Sequence, residues 1–260
     1  MKCNTTNWNE QVSLFKEAVK LSPEEKVDYV VANAGVAPRD DTFSFGECCF
    51  PFDALHANQV PKRVEADEPI EPSLTTIDIN TKGTLYTTKL ALHHFVKQNG
   101  DSSVASTTPP TSSRSDTCLI LIGSGAGFLD VPRSPEYCCT KFGNRGIMHS
   151  MRRITHHYQS RVNVISPWYV RTKILTTEVF DHVQGSGVDF AEAEDAGQCL
   201  LRILSDDKVN GHSFFIAPRK WASRGYVDLG LEEEAESSDL LKEMQKMQMA
   251  SAPPDSGLFP

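Results

Sequence analysis

The sequence predicts an α/β fold: a doubly wound parallel sheet with helices on both faces. Two observations predict it. Short runs rich in β-branched and other apolar residues recur along the chain, at "VDYVVANAG" (27–35), "CLILIG" (118–123), "RVNVISP" (161–167) and "GHSFFIA" (211–217). Longer stretches that read as helical lie around and between them, and this alternation is the pattern of strand–helix–strand crossovers.

Each element has its own signal. Trp8, Val12, Phe15, Ala18 and Val19 fall on one helical face, which predicts a helix over 8–20. The run at 27–35 is a buried strand closed by Gly35. A long proline-containing loop follows over 36–72, with an acidic stretch at Glu65, Asp67 and Glu68, and is read as functional or inserted. Residues 74–100 form a helix that stops at Gly100. The Ser/Thr/Pro-rich segment 101–116 is a polar connection. After the strand at 118–123, Ser134 caps a helix with Pro135 at its first position, and the helix runs to about His157. A strand at 161–167, a helix at 191–205 and a strand at 211–217 complete the pattern. Glu232–Glu234 then precede an amphipathic helix through Leu240, Leu241, Met244 and Met247, with a frayed end.

Composition narrows the function classes. The 260 residues suit one domain with a full-sized core, and 39% hydrophobic with 23% charged residues is ordinary for a globular chain. A net charge of −8 argues against nucleic acid and anionic membrane as partners. The first twenty residues hold no uninterrupted apolar stretch, and no window approaches the roughly 18 apolar residues of a membrane span. Seven cysteines, two pairs of them adjacent (Cys48–Cys49 and Cys138–Cys139), do not form a disulfide framework and fit a reduced, cytoplasmic setting. His93–His94 and His156–His157 are adjacent pairs that point to different sides of a helix, so no metal site is expected.

The chemistry concentrates at "LILIGSGAGF" and "PEYCCTKF". Tyr137 and Lys141 are one helical turn apart and share a face. An ammonium beside a phenol favours the phenolate and brings it toward the range useful for acid–base work. Ser124 ends a strand, at the sheet edge where α/β folds bind ligands, so its hydroxyl is placed to hydrogen-bond an alcohol or ketone oxygen near Tyr137. The same residues also read as a chance helical pair and a turn serine. "GSGAG" (123–127) is not a phosphate loop, because no helix opens directly after it.

Ser124, Tyr137, Lys141 and Pro167, in order with "NAG" (33–35) and "NTKG" (80–83), resemble the short-chain dehydrogenase/reductase family over roughly 1–222. "SPWYVRT" (166–172) is similar to the family's proline–glycine segment with Trp168 in place of the glycine, a variant similar to fungal members and prostaglandin dehydrogenase-like enzymes. The resemblance implies a Rossmann-like fold and hydride transfer between NAD or NADP and a small-molecule secondary alcohol or ketone. It assigns Tyr137 as the acid/base, Lys141 as the group that lowers its pKa and holds the nicotinamide ribose, Ser124 as the residue orienting the reacting oxygen, and Asn80 as the holder of a relay water. Asn4, Asn33, Val170 and Thr172 join Tyr137 and Lys141 as cofactor-binding positions, Asn4 standing where the family has an aspartate. Residues 173–195 correspond to a substrate lid, in which Phe180 and Phe190 suit a sizeable apolar substrate. Fungal likeness points to secondary metabolism, such as a polyketide of the sterigmatocystin or aflatoxin type.

Relative to the family, the first two strands and the glycine-rich turn are missing, on the order of 50 residues by the size of a βαβ unit. The expected consequences are weakened dinucleotide binding and an exposed apolar edge at "VDYVV". Residues 1–222 are thus read as an incomplete dehydrogenase domain and 223–260 as an acidic helix and tail. The alternatives to an oxidoreductase are a catalytically impaired interaction protein, forming a homo-oligomer through its two long helices, and a fragment of a longer gene product.

Overall fold

A computed structural model describes residues 1–37, 71–100, 116–131 and 134–230, with 243, 244 and 247 near the C-terminus. Most of the 36–72 and 101–116 segments, Cys48–Cys49 and most of the C-terminal helix lie outside the described residues. The described chain forms a five-stranded sheet in the order β1-β2-β3-β4-β5. Strands β1 (Tyr29–Ala32), β2 (Thr117–Ile122), β3 (Ser160–Pro167) and β4 (Ser213–Ile216) are parallel, and β5 (Tyr226–Asp228) returns antiparallel to β4.

Side-chain alternation along the strands divides the core into two layers. Leu119 and Leu121 of β2 and Val162 and Val164 of β3 face one side. There they meet Phe15 of α1 (Trp8–Leu21), Leu90, Ala91, Leu92 and Phe95 of α3 (Gly83–Asn99), and Met148 and Met151 of α4 (Pro135–Met151). Cys118, Ile120 and Ile165 face the other side, against Cys199 and Ile203 of α6 (Ala193–Leu204). Burial on both faces is why β2 is apolar almost throughout.

The helix over 74–100 is composite: α2 (Thr75–Ile77), a π turn (Asp78–Lys82) and α3. It ends where expected, at Gly100, whose φ of 73° suits glycine and whose N–H caps Val96 O at 2.8 Å. The helix begun by Pro135 does not reach His157. It stops at Met151, and a 3₁₀ turn over Thr155–Tyr158 with Gln159 left-handed swings the chain into β3. The Ser134 side chain makes no cap bond, and the preset φ of Pro135 at the first position starts the helix. Helix α5 (Thr177–Gly185) and strand β5 were not anticipated, and β5 continues the sheet past residue 222.

Strand β1 borders only β2 among the described residues, and Tyr29 and Val31 are 46% and 40% exposed. No described helix is long and apolar enough to cross a membrane. Arg161 binds the layers together from a nearly buried position. Its guanidinium grips Asp116, ahead of β2, through Nε and Nη2 at 2.7 and 2.6 Å, and Nη1 donates to Ile203 O and Val209 O, each at 2.9 Å. Arg161→Met therefore takes the guanidinium from Asp116 and one donor each from Ile203 O and Val209 O, the latter keeping Asn163 Nδ2 at 2.9 Å. A loss of about 3 kcal/mol is expected, seen as a lower urea midpoint at unchanged slope.

Candidate active site

The site forms where β2 ends and α4 begins. Gly123 must be glycine, because a Cβ there would come within 2.4 Å of Ser166 Oγ on β3. Ser124 follows in extended conformation, its Oγ accepting from Ala126 N at 3.2 Å, and a 3₁₀ turn over Gly125–Gly127 leads away. Tyr137, in the first turn of α4, has its phenol near enough to the Ser124 hydroxyl for that group to lower its pKa. The strand-end serine and the helical tyrosine are thus brought together.

One turn further along α4, Lys141 is 5% exposed. Its Nζ donates to Ile122 O at 3.0 Å and lies 5.4 Å from the centroid of the Tyr137 ring. Asn144 Nδ2 donates to the same carbonyl, also at 3.0 Å. Asn80, 1% exposed in the π turn, clasps the backbone of Val36: Nδ2 donates to its carbonyl and Oδ1 accepts from its N–H, both at 2.8 Å. Asn80 Nδ2 also reaches Thr140 Oγ1 at 3.3 Å, and Thr140 donates to Tyr137 O at 2.8 Å. The loop after β1 passes close over this group. A Cβ on Gly35 would lie 3.3 Å from Asn80 Oδ1 and 3.6 Å from Lys141 Nζ.

Electrostatics correct one expectation. The Tyr137 phenol is pushed above its usual value by burial, with the Ser124 hydrogen bond as the opposing influence. Lys141 is not among the influences on that phenol; its Nζ bonds Ile122 O, and burial lowers its own pKa to about 8. Asn80 serves as a backbone clamp on Val36.

The expected cofactor positions are more scattered. Asn33 is exposed just beyond β1, with its N–H on Val31 O at 2.9 Å. Val170 packs against the α6-side core, and Thr172 is exposed with Oγ1 accepting from Ile174 N. Asn4 is exposed and already committed locally, its Oδ1 accepting from Thr6 N and Oγ1 at 3.1 and 3.0 Å. Phe180 is buried, its ring 5.7 Å from that of Phe190. Thr140 and Asn144 were missed by sequence reasoning. Both lie three residues from a residue that was chosen, on the same helical face, so spacing could have found them. The wall beyond Ser124 is aromatic: Trp168 contacts Phe215 and Tyr169, and its Nε1 donates to Asp189 O at 3.1 Å.

Burial of Lys141 carries a stability consequence. A lysine whose pKa falls from 10.5 to about 8 penalises the folded state by about 3 kcal/mol at all pH below 8, and the penalty fades as pH rises from 8 to 10.5. Lys141→Met is therefore expected to be more stable than the parent at pH 7, with Asn144 still bonding Ile122 O. The gain should shrink toward pH 10.5 in a series of urea titrations.

This geometry has relatives. The chain is 29% identical over 228 residues to a 5'-hydroxyaverantin dehydrogenase of Dothistroma septosporum, covering 83% of this chain and 66% of that protein. It is 28% identical over 191 residues to the 5'-hydroxyaverantin dehydrogenase of Emericella nidulans, covering 73% and 57%. The chain thus spans about three-fifths to two-thirds of the length of these relatives. A gluconate 5-dehydrogenase from Burkholderia cenocepacia, solved with NADP and tartrate, superimposes with a TM-score of 0.56 at 16% identity, over 83% of this chain and 72% of that one. The model of the short chain dehydrogenase family matches residues 1–182, and the chain belongs to that family.

Proposed function

We propose that the chain carries the catalytic centre of an NAD(P)-dependent oxidoreductase that interconverts a secondary alcohol and a ketone. The observation that carries this reading is the grouping of Ser124, at the end of β2, and Lys141, whose Nζ lies 5.4 Å from the ring centroid, about the Tyr137 phenol on α4. The residues present fit the nicotinamide-ribose end of the cofactor: Lys141 Nζ faces the backbone at Gly35, where a side chain would fill the space beside it. Lys141, Tyr137 and Asn33 would hold it there, with Val170 and Thr172 on the far side. When bound, the nicotinamide supplies the hydride acceptor or donor.

The chain's own residues handle the proton. Ser124 and Tyr137 orient the reacting oxygen between two hydroxyls. A phenol raised by burial stays protonated at neutral pH, so Tyr137 donates its proton to a ketone oxygen as the alcohol forms. In the oxidative direction Tyr137 must take that proton, so alcohol oxidation is expected to rise with pH while ketone reduction falls. Lys141, with a pKa of about 8, is poised to restore the phenol proton. Two relatives named 5'-hydroxyaverantin dehydrogenase, together with the aromatic wall, support a polyketide alcohol of that kind in secondary metabolism. We place the enzyme in the cytoplasm, as a homo-oligomer acting on a small molecule.

A second reading has its own observation. The exposed β1 edge at Tyr29 and Val31 suits an interaction protein that has left catalysis behind. Calorimetric titration with NAD and NADP separates the two, since micromolar binding defeats the non-catalytic reading. The enzymatic reading is tested with Tyr137→Phe, which is expected to lower kcat by about 10²- to 10⁴-fold with either cofactor. Parent-like turnover in that variant removes Tyr137 from the mechanism.

A further inference from the structure

Asn144 is a buried amide to which the proposed reaction gives no part. It is 2% exposed on α4, three residues past Lys141. Its Nδ2 donates to Ile122 O at 3.0 Å, and Lys141 Nζ reaches the same oxygen at 3.0 Å. The other end of the amide is idle: Oδ1 is buried with no hydrogen-bond partner among the described residues. A buried acceptor left unpaired costs stability, and Ile122 O is already paired by Lys141. For stability alone, an apolar side chain of similar volume would serve as well here.

Lys141 is the donor with capacity to spare. An ammonium has three N–H groups on a flexible stem. Among the described residues its Nζ makes one hydrogen bond, to Ile122 O. Glycine at position 35 keeps the space beside it open, since a Cβ there would lie 3.6 Å from Nζ. A ligand hydroxyl on that side meets an ammonium short of acceptors, and a charge-assisted bond is the strong kind. An ammonium drawn toward such a ligand loosens its hold on Ile122 O. With Lys141 as sole donor, that movement would strand a buried carbonyl. Asn144 donates to the same oxygen from the same face of α4, so the carbonyl stays paired.

We propose that Asn144 is a positioning residue: it keeps the Ile122 carbonyl paired, so that the Lys141 ammonium can turn from that carbonyl to the ribose hydroxyls of a nicotinamide cofactor without stranding a buried acceptor. The proposal rests on the reading of Lys141 as the group that holds the ribose. Asn144 itself touches neither cofactor nor substrate. It acts by dividing the work at one oxygen, with the neutral amide pinning the strand end that leads to Ser124 and the ammonium left for the ligand.

The test is a double-mutant cycle on the full chain at pH 7: the parent, Asn144→Leu, Lys141→Met and the double variant. Urea titration reads stability and needs no cofactor. Asn144→Leu alone is expected to leave the midpoint at or above that of the parent, because Lys141 still pairs Ile122 O and the orphaned Oδ1 is gone. In the Lys141→Met background the same substitution is expected to lower the folding equilibrium constant about tenfold, since the carbonyl then has no side-chain donor. Calorimetry reads the Kd of NAD and NADP in the same four proteins. Asn144→Leu is expected to raise Kd about tenfold when Lys141 is present, and to change it by less than about twofold in the Lys141→Met background. A merely structural amide does the reverse: Asn144→Leu lowers stability equally in both backgrounds, and any loss of binding persists without Lys141. Either of those results, or a Kd that Asn144→Leu leaves unchanged, overturns the proposal, and the urea cycle is enough to do so by itself. Failure of the Lys141 reading looks different: Lys141→Met would then bind both cofactors as tightly as the parent.

Discussion

The carbonyl of Ile122 is the point on which the site turns. It sits at the end of β2, where the sheet ladder stops, and it takes two donors from one face of α4: Lys141 Nζ and Asn144 Nδ2, each at 3.0 Å. Two bonds from residues three apart on a helix fix both its rotation and its height against the strand. Tyr137 is one turn earlier on the same helix, and Ser124 is two residues beyond the same carbonyl. The hydroxyl pair therefore inherits its alignment from a joint between a strand end and a helix, and not from the loop that connects them.

A second joint holds the other wall. Asn80 clasps Val36 on both sides of its peptide, and Thr140 links that clasp to the carbonyl of Tyr137. The π turn that carries Asn80 is the kind of helical irregularity found at functional sites, because it re-aims side chains without breaking the helix. These polar groups are buried but satisfied, so the network gives rigidity without a large desolvation penalty. Lys141 is different: its depressed pKa is a stability cost concentrated at the place where the chemistry is proposed.

Much of the fold was legible because its signals are local. β2 is buried on both faces and so reads as an uninterrupted apolar run; Gly100 stops its helix through a positive φ that favours glycine. The end of α4 was not legible, since the 3₁₀ turn at Thr155–Tyr158 keeps a helix-like pattern while the chain is already turning into β3. β5, three residues long, is too short to show a period. At the site, the pairing of Tyr137 with Lys141 followed from helical spacing, and Ser124 from its place at a strand end. Thr140 and Asn144 share that helix but act through partners from β2 and the π turn, which no spacing within α4 reveals.

By itself the sequence determined the α/β alternation, the helical face shared by Tyr137 and Lys141, and the strand-end position of Ser124, because each depends on residues close together in the chain. Only the tertiary structure decided that Lys141 bonds the Ile122 carbonyl, that Asn80 clasps Val36, and that burial raises the Tyr137 phenol. Those outcomes depend on desolvation and on partners far apart in sequence, and both are set by how the layers pack.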